Sequence, residues 1–213
     1  MLSKNRTGWL LLSPTILILI LVGLVPFIYV LYVGFFKWNP LAIDPSMQFE
    51  GFGFNYRRLI FDDVFLASIW RSIKFAFVTL FFELTLGFVL ALSLLSSFPL
   101  RSFFRGVHTL PLVIAPIVVG SIFKLFTVQG LGPLPHILKD YFGYTLNYGL
   151  NADQAFWMIV IMDIWHWTPF VTLTLLAGLS ALPQDPYESA KMDGANNFQI
   201  FVYITIPMMV PVL

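Results

Sequence analysis

The sequence predicts an all-α integral membrane protein: a bundle of hydrophobic helices with four complete spans and a fifth cut short. Three observations carry this. The 213 residues are 58% hydrophobic and only 11% charged, with a mean hydropathy of +0.83, too apolar for a soluble domain. Twenty-three Phe and six Trp exceed what one soluble core of this size holds, but suit lipid-facing and interfacial positions. Several apolar runs also reach the ~20 residues a helix needs to cross the bilayer core. A net charge of +1 gives nucleic acid no electrostatic footing. Without cysteine there is no disulfide and no thiolate metal site, and the three His lack a paired metal-ligand spacing.

The first run, 9–36, contains no charged residue and as a helix would be about 42 Å long. It follows Lys4 and Arg6. Because it is about twice the length of a cleavable signal core and no small-x-small site follows, it is expected to stay as a span. The second run, 75–95, holds a single ionisable residue, Glu83. The third, 107–126, contains Pro111 and Pro116, with His108 and Lys124 near its ends. The fourth, 155–182, holds Asp163, His166 and Pro169 and is long enough to tilt or break at the proline. The fifth, 204–213, amounts to about 15 Å of helix, half the bilayer core. The chain is therefore expected to be truncated inside that span. Between spans, 37–74 is a mixed segment and 128–153 is rich in Gly and Pro turn signals.

Between the fourth and fifth runs lies a polar connector, 183–203. Asp185 is placed to cap a helix, Pro186 to open it and Glu188 to complete a capping box. Gly194 suits the left-handed end of that helix near Asp193, and Asn196 or Asn197 can cap a second helix leading to Pro207. Two helices meeting at a glycine corner make a compact knob. Ser189 and Ala190 keep one face small, Tyr187 and Met192 offer apolar anchoring and Glu188 a charged contact for a soluble partner.

The stretch from Glu188 to Pro207 matches Glu188, Ala190, Asp193, Gly194, Ala195, Ile204 and Pro207 of the EAA loop found in permease subunits of binding-protein-dependent ABC importers. Ser189 stands where that family usually has Ala. The chain thus resembles a type I ABC-importer permease over nearly its whole length. Trp165-His166-Trp167-Thr168-Pro169-Phe170, the opening Gly8-Trp9-Leu10-Leu11-Leu12-Ser13-Pro14 and the Asn55-Tyr56 … Asp63 … Phe65 phrase are similar to carbohydrate-uptake members, including the maltose and glycerol-phosphate subunits. The resemblance implies a subunit forming half of a translocation pathway for a sugar or polyol. It implies coupling through 185–207, with Tyr187, Glu188, Ser189, Ala190, Met192, Asp193, Gly194 and Ala195 at the contact. The implied partners are cytoplasmic ABC ATPase subunits, a second permease subunit in a heterodimer, an extracytoplasmic solute-binding protein and membrane lipid. The implied location is a bacterial or archaeal inner membrane, multi-pass with a cytoplasmic amino terminus. Six spans are usual in that family, so a last hairpin is expected to be missing here.

No phosphate-loop motif occurs, so ATP hydrolysis is expected of a partner and neither catalytic residues nor a cofactor are assigned to this chain. Charge counting does not set the topology. The inside would hold Lys4, Arg6, Arg101, Arg105 and Lys191 against seven Lys and Arg outside, so the orientation follows the resemblance. Ionisable groups at membrane depth mark pathways or buried partners. Asp163, His166, Trp167 and Phe170 fall at helical spacings with rings suited to stacking on sugars, which makes Asp163, Trp167, Phe170 and Glu83 pathway candidates. The bland reading of the same residues is helix packing, a carboxylate near a helix end, or pairing of Glu83 with Lys124. Three rival readings stand beside the importer: a secondary transporter coupling through Glu83 or Asp163, a membrane enzyme, for which no Gly-x-Ser-x-Gly or His-Glu-x-x-His motif is present, and an inactive truncated permease fragment.

Overall fold

The computed structural model describes residues 2–42 and 45–212, with side chains in the first helix from Gly8 onward. The Lys4 and Arg6 side chains and Leu213 lie outside the described residues. The chain divides after Arg71 into two compact units. Among the described residues three helices are long and apolar enough to cross a membrane, Gly8–Val33, Asp63–Leu95 and Ala152–Ser180, and a bent pair, Arg101–Val113 with Pro116–Thr127, makes a fourth candidate span.

The first unit opens with α1 (Leu2–Leu19), a π turn (Ile20–Leu24) and α2 (Val25–Val33). The π turn has a local cause. Pro26 has no N–H and its ring would collide with the carbonyl four residues back. Widening the preceding turn, with Val25 N–H donating to Ile20 O, keeps the helix continuous through it. After α2 come a two-residue antiparallel ladder, β1 (Phe36–Lys37) against β2 (Gln48–Phe49), and α3 (Phe54–Ile60). The Asn55 amide donates to both Gly34 O and Phe36 O at 3.0 Å, and the Tyr56 hydroxyl donates to Leu31 O at 2.8 Å. The Asn55-Tyr56 pair therefore serves as a clamp on the end of α2. Lys37 and Glu50 close the ladder with an ion pair at 3.8 Å.

The long helix α4 (Asp63–Leu95) starts well before the apolar run at Phe75. Asp62 is the reason: its Oδ1 accepts from the N–H of Val64 (2.9 Å) and Phe65 (3.0 Å), capping the helix ahead of the hydrophobic stretch.

The second unit contains α5 (Arg101–Val113), α6 (Pro116–Thr127), α7 (Pro133–Phe142), α8 (Ala152–Ser180), α9 (Asp185–Met192), α10 (Asn197–Ile200), a second π turn (Phe201–Thr205) and α11 (Ile206–Met209). The third apolar run, expected as a span over 107–126, consists of two helices bent by 96°. Pro116 causes the break, because a residue before proline is pushed out of the helical region. Ile114 (ψ 129°) and Ala115 (ψ 138°) are both extended, and Pro116 then opens α6 at a position that needs no donor. Pro111 and Pro169, by contrast, sit inside continuous helices. The turn-rich segment 128–153 contains α7, which opens at Pro133 and ends on Gly143 in the left-handed region (φ 65°). Asn151 caps α8 by accepting from Asp153 N and Gln154 N at 3.0 Å. The last helical stretch begins at Asn197 with Asn196 as its cap, one of the two caps expected, and so starts ahead of the apolar run at Ile204.

The core of this unit is Ala91 and Leu94 of α4, Leu175, Leu176 and Leu179 of α8, and Met209 of α11. On α4 the buried Thr79, Glu83, Gly87 and Ala91 repeat every four residues, and all but Glu83 are small residues of the kind that let membrane helices approach closely. At Gly87 the approach is tight: a Cβ there would lie 2.8 Å from Val171 Cγ1. Gly178 of α8 plays the same part toward the last helix, where a Cβ would lie 2.9 Å from Met209 Cε.

Candidate functional site

Two features in the second unit can carry function: the polar elbow around Gly194 and a cluster of ionisable groups between α4 and α8. The elbow starts with α9. Its first turn carries Asp185 and Glu188, negative charges that the helix amino end favours. The expected capping box at Asp185 does not form. Asp185 is itself helical, and Gln184 precedes it as the cap residue without a side-chain bond. The Gln184 carbonyl already accepts from Tyr187 N (2.9 Å) and Glu188 N (3.1 Å), so the helix has begun one residue before a carboxylate at 185 could cap it.

The far end closes as expected. Gly194 takes φ +81°, Ala195 N–H donates to Ala190 O (2.9 Å) and Gly194 N–H to Lys191 O (3.1 Å). Those are the paired bonds of a Schellman end, and they need a residue free to adopt the left-handed region. Asn196 then opens α10 with a true capping box. Its Oδ1 accepts from Gln199 N, while its own N–H donates to Gln199 Oε1, both at 2.9 Å. Two orphan donors are thereby satisfied at the corner.

The side chains of the elbow sort into two sides. Glu188, Ser189, Met192 and Asp193 are exposed, with Met192 90% accessible. Tyr187, Ala190 and Ala195 are half-buried, and the Tyr187 hydroxyl donates to Thr205 Oγ1 at 3.2 Å. The Tyr187 hydroxyl is thus engaged within the chain, while its ring stays half-buried.

In the intramembrane cluster, Glu83 of α4 is 8% exposed and His166 of α8 is 6% exposed, with Asp163 half-buried beside them. Asp163 is the ionisable neighbour of both Glu83 and His166. Glu83 Oε1 and His166 Nδ1 have no hydrogen-bond partner. Lys124 does not neutralise Glu83: among the described residues the ion pair is Lys37 with Glu50. Trp167 and Phe170 are 42% and 53% exposed, their rings edge to face at 6.2 Å. The sequence spacing had put these two on one face with Asp163 and His166, whereas His166 is buried and the two rings are open.

One residue was missed at the sequence level as a packing contact. His108 Nε2 lies 3.0 Å from Thr172 Oγ1. The Thr172 hydroxyl hydrogen is already donated to Thr168 O at 2.8 Å, so His108 Nε2–H must be the donor. This bond fastens the bent pair to α8 beside an open, mainly apolar recess of about 420 Å³ lined by Leu86, Val107, His108, Trp165, Thr168 and Pro169 among others. The partners lie 64 positions apart, beyond the reach of any local motif.

Comparison with known proteins gives one answer at three levels. Residues 83–213 match the family described as binding-protein-dependent transport system inner membrane component. The chain is 31% identical over 210 residues to the trehalose/maltose transport system permease protein MalF of Thermococcus litoralis, covering 99% of this chain and 70% of that protein. It is 33% identical over 203 residues, 95% of this chain and 65% of the relative, to a probable ABC transporter permease protein of Sinorhizobium fredii. It is 28% identical over 212 residues, 99% of this chain and 66% of the relative, to the arabinooligosaccharides transport system permease protein AraP of Bacillus subtilis. The chain thus spans about two thirds of the length of these relatives. Among solved structures, a bacterial ABC transporter involved in the import of the acidic polysaccharide alginate superposes with a TM-score of 0.74 at 21% identity, over 98% of this chain and 70% of that one. The elbow at Gly194 and these matches lead to one assignment: the chain belongs to the inner membrane component family of binding-protein-dependent ABC transport systems.

Proposed function

We propose that this chain is the membrane-spanning subunit of an ATP-driven importer for a sugar or related polyol, forming half of the pathway and docking a separate ATPase through 185–207. The observation that carries the reading is the elbow itself. A short helix presents Glu188, Ser189, Met192 and Asp193 to solvent and is closed at one end by a Schellman corner and a capping box. Such a rigid, partly apolar knob fits a groove on a soluble partner, and an exposed Met is an adaptable contact. ATP hydrolysis belongs to that partner. A second permease subunit and an extracytoplasmic binding protein complete the assembly in a multi-pass inner-membrane arrangement with the amino terminus cytoplasmic.

The carbohydrate assignment is supported by relatives named for trehalose/maltose and arabinooligosaccharides. Asp163 and Glu83 supply hydrogen-bonding groups at membrane depth, and Trp167 with Phe170 supply exposed rings on which a sugar face can stack. The coupling test is co-purification of this chain from native membranes, unmodified and as Glu188→Lys or Gly194→Pro, together with uptake by cells carrying each version. The ATPase should accompany the unmodified chain and be lost from both variants along with uptake, while membrane insertion persists. Normal transport in both variants would sink the coupling assignment.

A further inference from the structure

Tyr187 stands apart from the rest of the elbow because its polar end is turned toward the following helix. Its hydroxyl donates to Thr205 Oγ1 at 3.2 Å across 18 positions of sequence. Thr205, 5% exposed, passes its own hydrogen to Ile200 O at 3.4 Å. Elsewhere in this unit the intrahelical hydroxyl bonds of Thr168, Thr172, Thr174 and Ser180 reach the carbonyl four residues back. At Thr205 the acceptor is five back, because the widened turn Phe201–Thr205 displaces the hydroxyl. At the Gly194 corner the backbone bonds are local to each helix: Ala195 N–H to Ala190 O and Gly194 N–H to Lys191 O end α9, and the Asn196–Gln199 box opens α10. A corner fixed at one vertex is a hinge. A second attachment away from the vertex turns it into a braced triangle.

We propose that Tyr187 is a positioning residue whose hydrogen bond to Thr205 braces α9 against the last helical stretch, so that displacement of α9 is handed to the membrane rather than absorbed by bending at Gly194. The inference rests on the coupling reading of α9 given above. Tyr187 acts through Thr205 and touches no solute.

Because the sequence contains no cysteine, a single labelled pair reports the angle between the two helices. Spin labels at Asp185→Cys on α9 and Tyr203→Cys beyond the corner, both exposed positions, are placed in the transporter isolated from native membranes. Distances are measured without nucleotide and after trapping with MgATP and vanadate. The otherwise unmodified chain should show one narrow distance in both states. Tyr187→Phe, or the near-isosteric Thr205→Val, should populate a second, bent distance about fivefold more, the change expected when one net hydrogen bond of ~1 kcal/mol is lost. Thr205→Ser, which keeps the hydroxyl, should retain the narrow distance, and Tyr187→Phe/Thr205→Val should bend no more than either single variant. Tyr187→Phe and Thr205→Val distances identical to the unmodified ones in both states would overturn the brace. Absence of an ATPase from the unmodified preparation would sink the coupling reading instead, with the nucleotide-free distances still deciding whether the hydroxyl pair stiffens the corner.

Discussion

Replacing Gly87 with alanine tests the closest packing in the second unit. The added methyl would lie 2.8 Å from Val171 Cγ1, 3.2 Å from Val171 Cβ and 3.3 Å from the backbone N of Thr172. Valine in a helix holds essentially one rotamer, so its branch cannot swing aside, and the third neighbour is main chain. Overpacking of this kind costs about 1–3 kcal/mol, offset by roughly 1 kcal/mol of improved helix propensity. A net loss of up to about 2 kcal/mol is expected. Gly120 of α6 provides the internal control, since a Cβ there meets nothing within 4 Å. Gly120→Ala should stabilise by up to ~1 kcal/mol through propensity alone. The two substitutions are chemically identical and should move stability in opposite directions, read as tryptophan fluorescence of the chain purified in mild detergent and titrated with a denaturing one. Val171→Ala in the Gly87→Ala background removes the nearest atom and should restore part of the loss, a coupling that independent sites would not show. Gly87→Ala stabilised as much as Gly120→Ala would refute the packing argument.

Three further outcomes follow from the geometry. Asn196→Ala removes the acceptor for Gln199 N–H and should cost ~1 kcal/mol, visible as faster amide exchange at Gln199 than at core amides of α8. Glu83→Gln places an amide donor beside Asp163 in place of a second carboxyl group. It should leave stability equal or raise it by about 1 kcal/mol in thermal unfolding, and a marked loss would show that the carboxyl has a cationic partner. Asn55→Ala strips two 3.0 Å bonds from the end of α2 and should raise proteolytic cleavage near Gly34 and Phe36, with an expected local cost of ~1–2 kcal/mol.

The helical membrane class and the family were legible from composition, run lengths and the Glu188–Pro207 pattern, because each is a local property of the chain. Gly194 could be assigned its left-handed role from residue type alone and the cap narrowed to Asn196 or Asn197, since both features are local to the corner. The start of α4 was misplaced because the hydrophobic run marks where lipid contact begins, whereas the Asp62 cap marks where the helix begins. The bend in the third run was hidden for the opposite reason: hydropathy is blind to backbone angles, although Pro116 after Ala115 was in view. The inward turn of Tyr187, the burial of His166 and the His108–Thr172 bond depend on partners 18 or more positions away or on neighbouring helices, and no spacing rule reaches that far. At Asp185 a correct cap residue was one position too late, a margin within which helix starts are decided by the carbonyl that first gains two donors.

Both π turns, Ile20–Leu24 and Phe201–Thr205, end two residues before a proline. Each adds one residue to a turn, and one residue is about 100° of helical rotation. Everything after Thr205 therefore points a quarter-circle away from where an unbroken count from Asn197 would place it, and the fully buried Met209 against Gly178 owes its position to that offset. A change of Pro207 that let the ordinary helix return would act as a rotation of the helix beyond it, altering the surface shown to its neighbours without deleting a single atom from that surface. In aligning this helix with others of its kind, the phase of the side chains has to be reset at the proline.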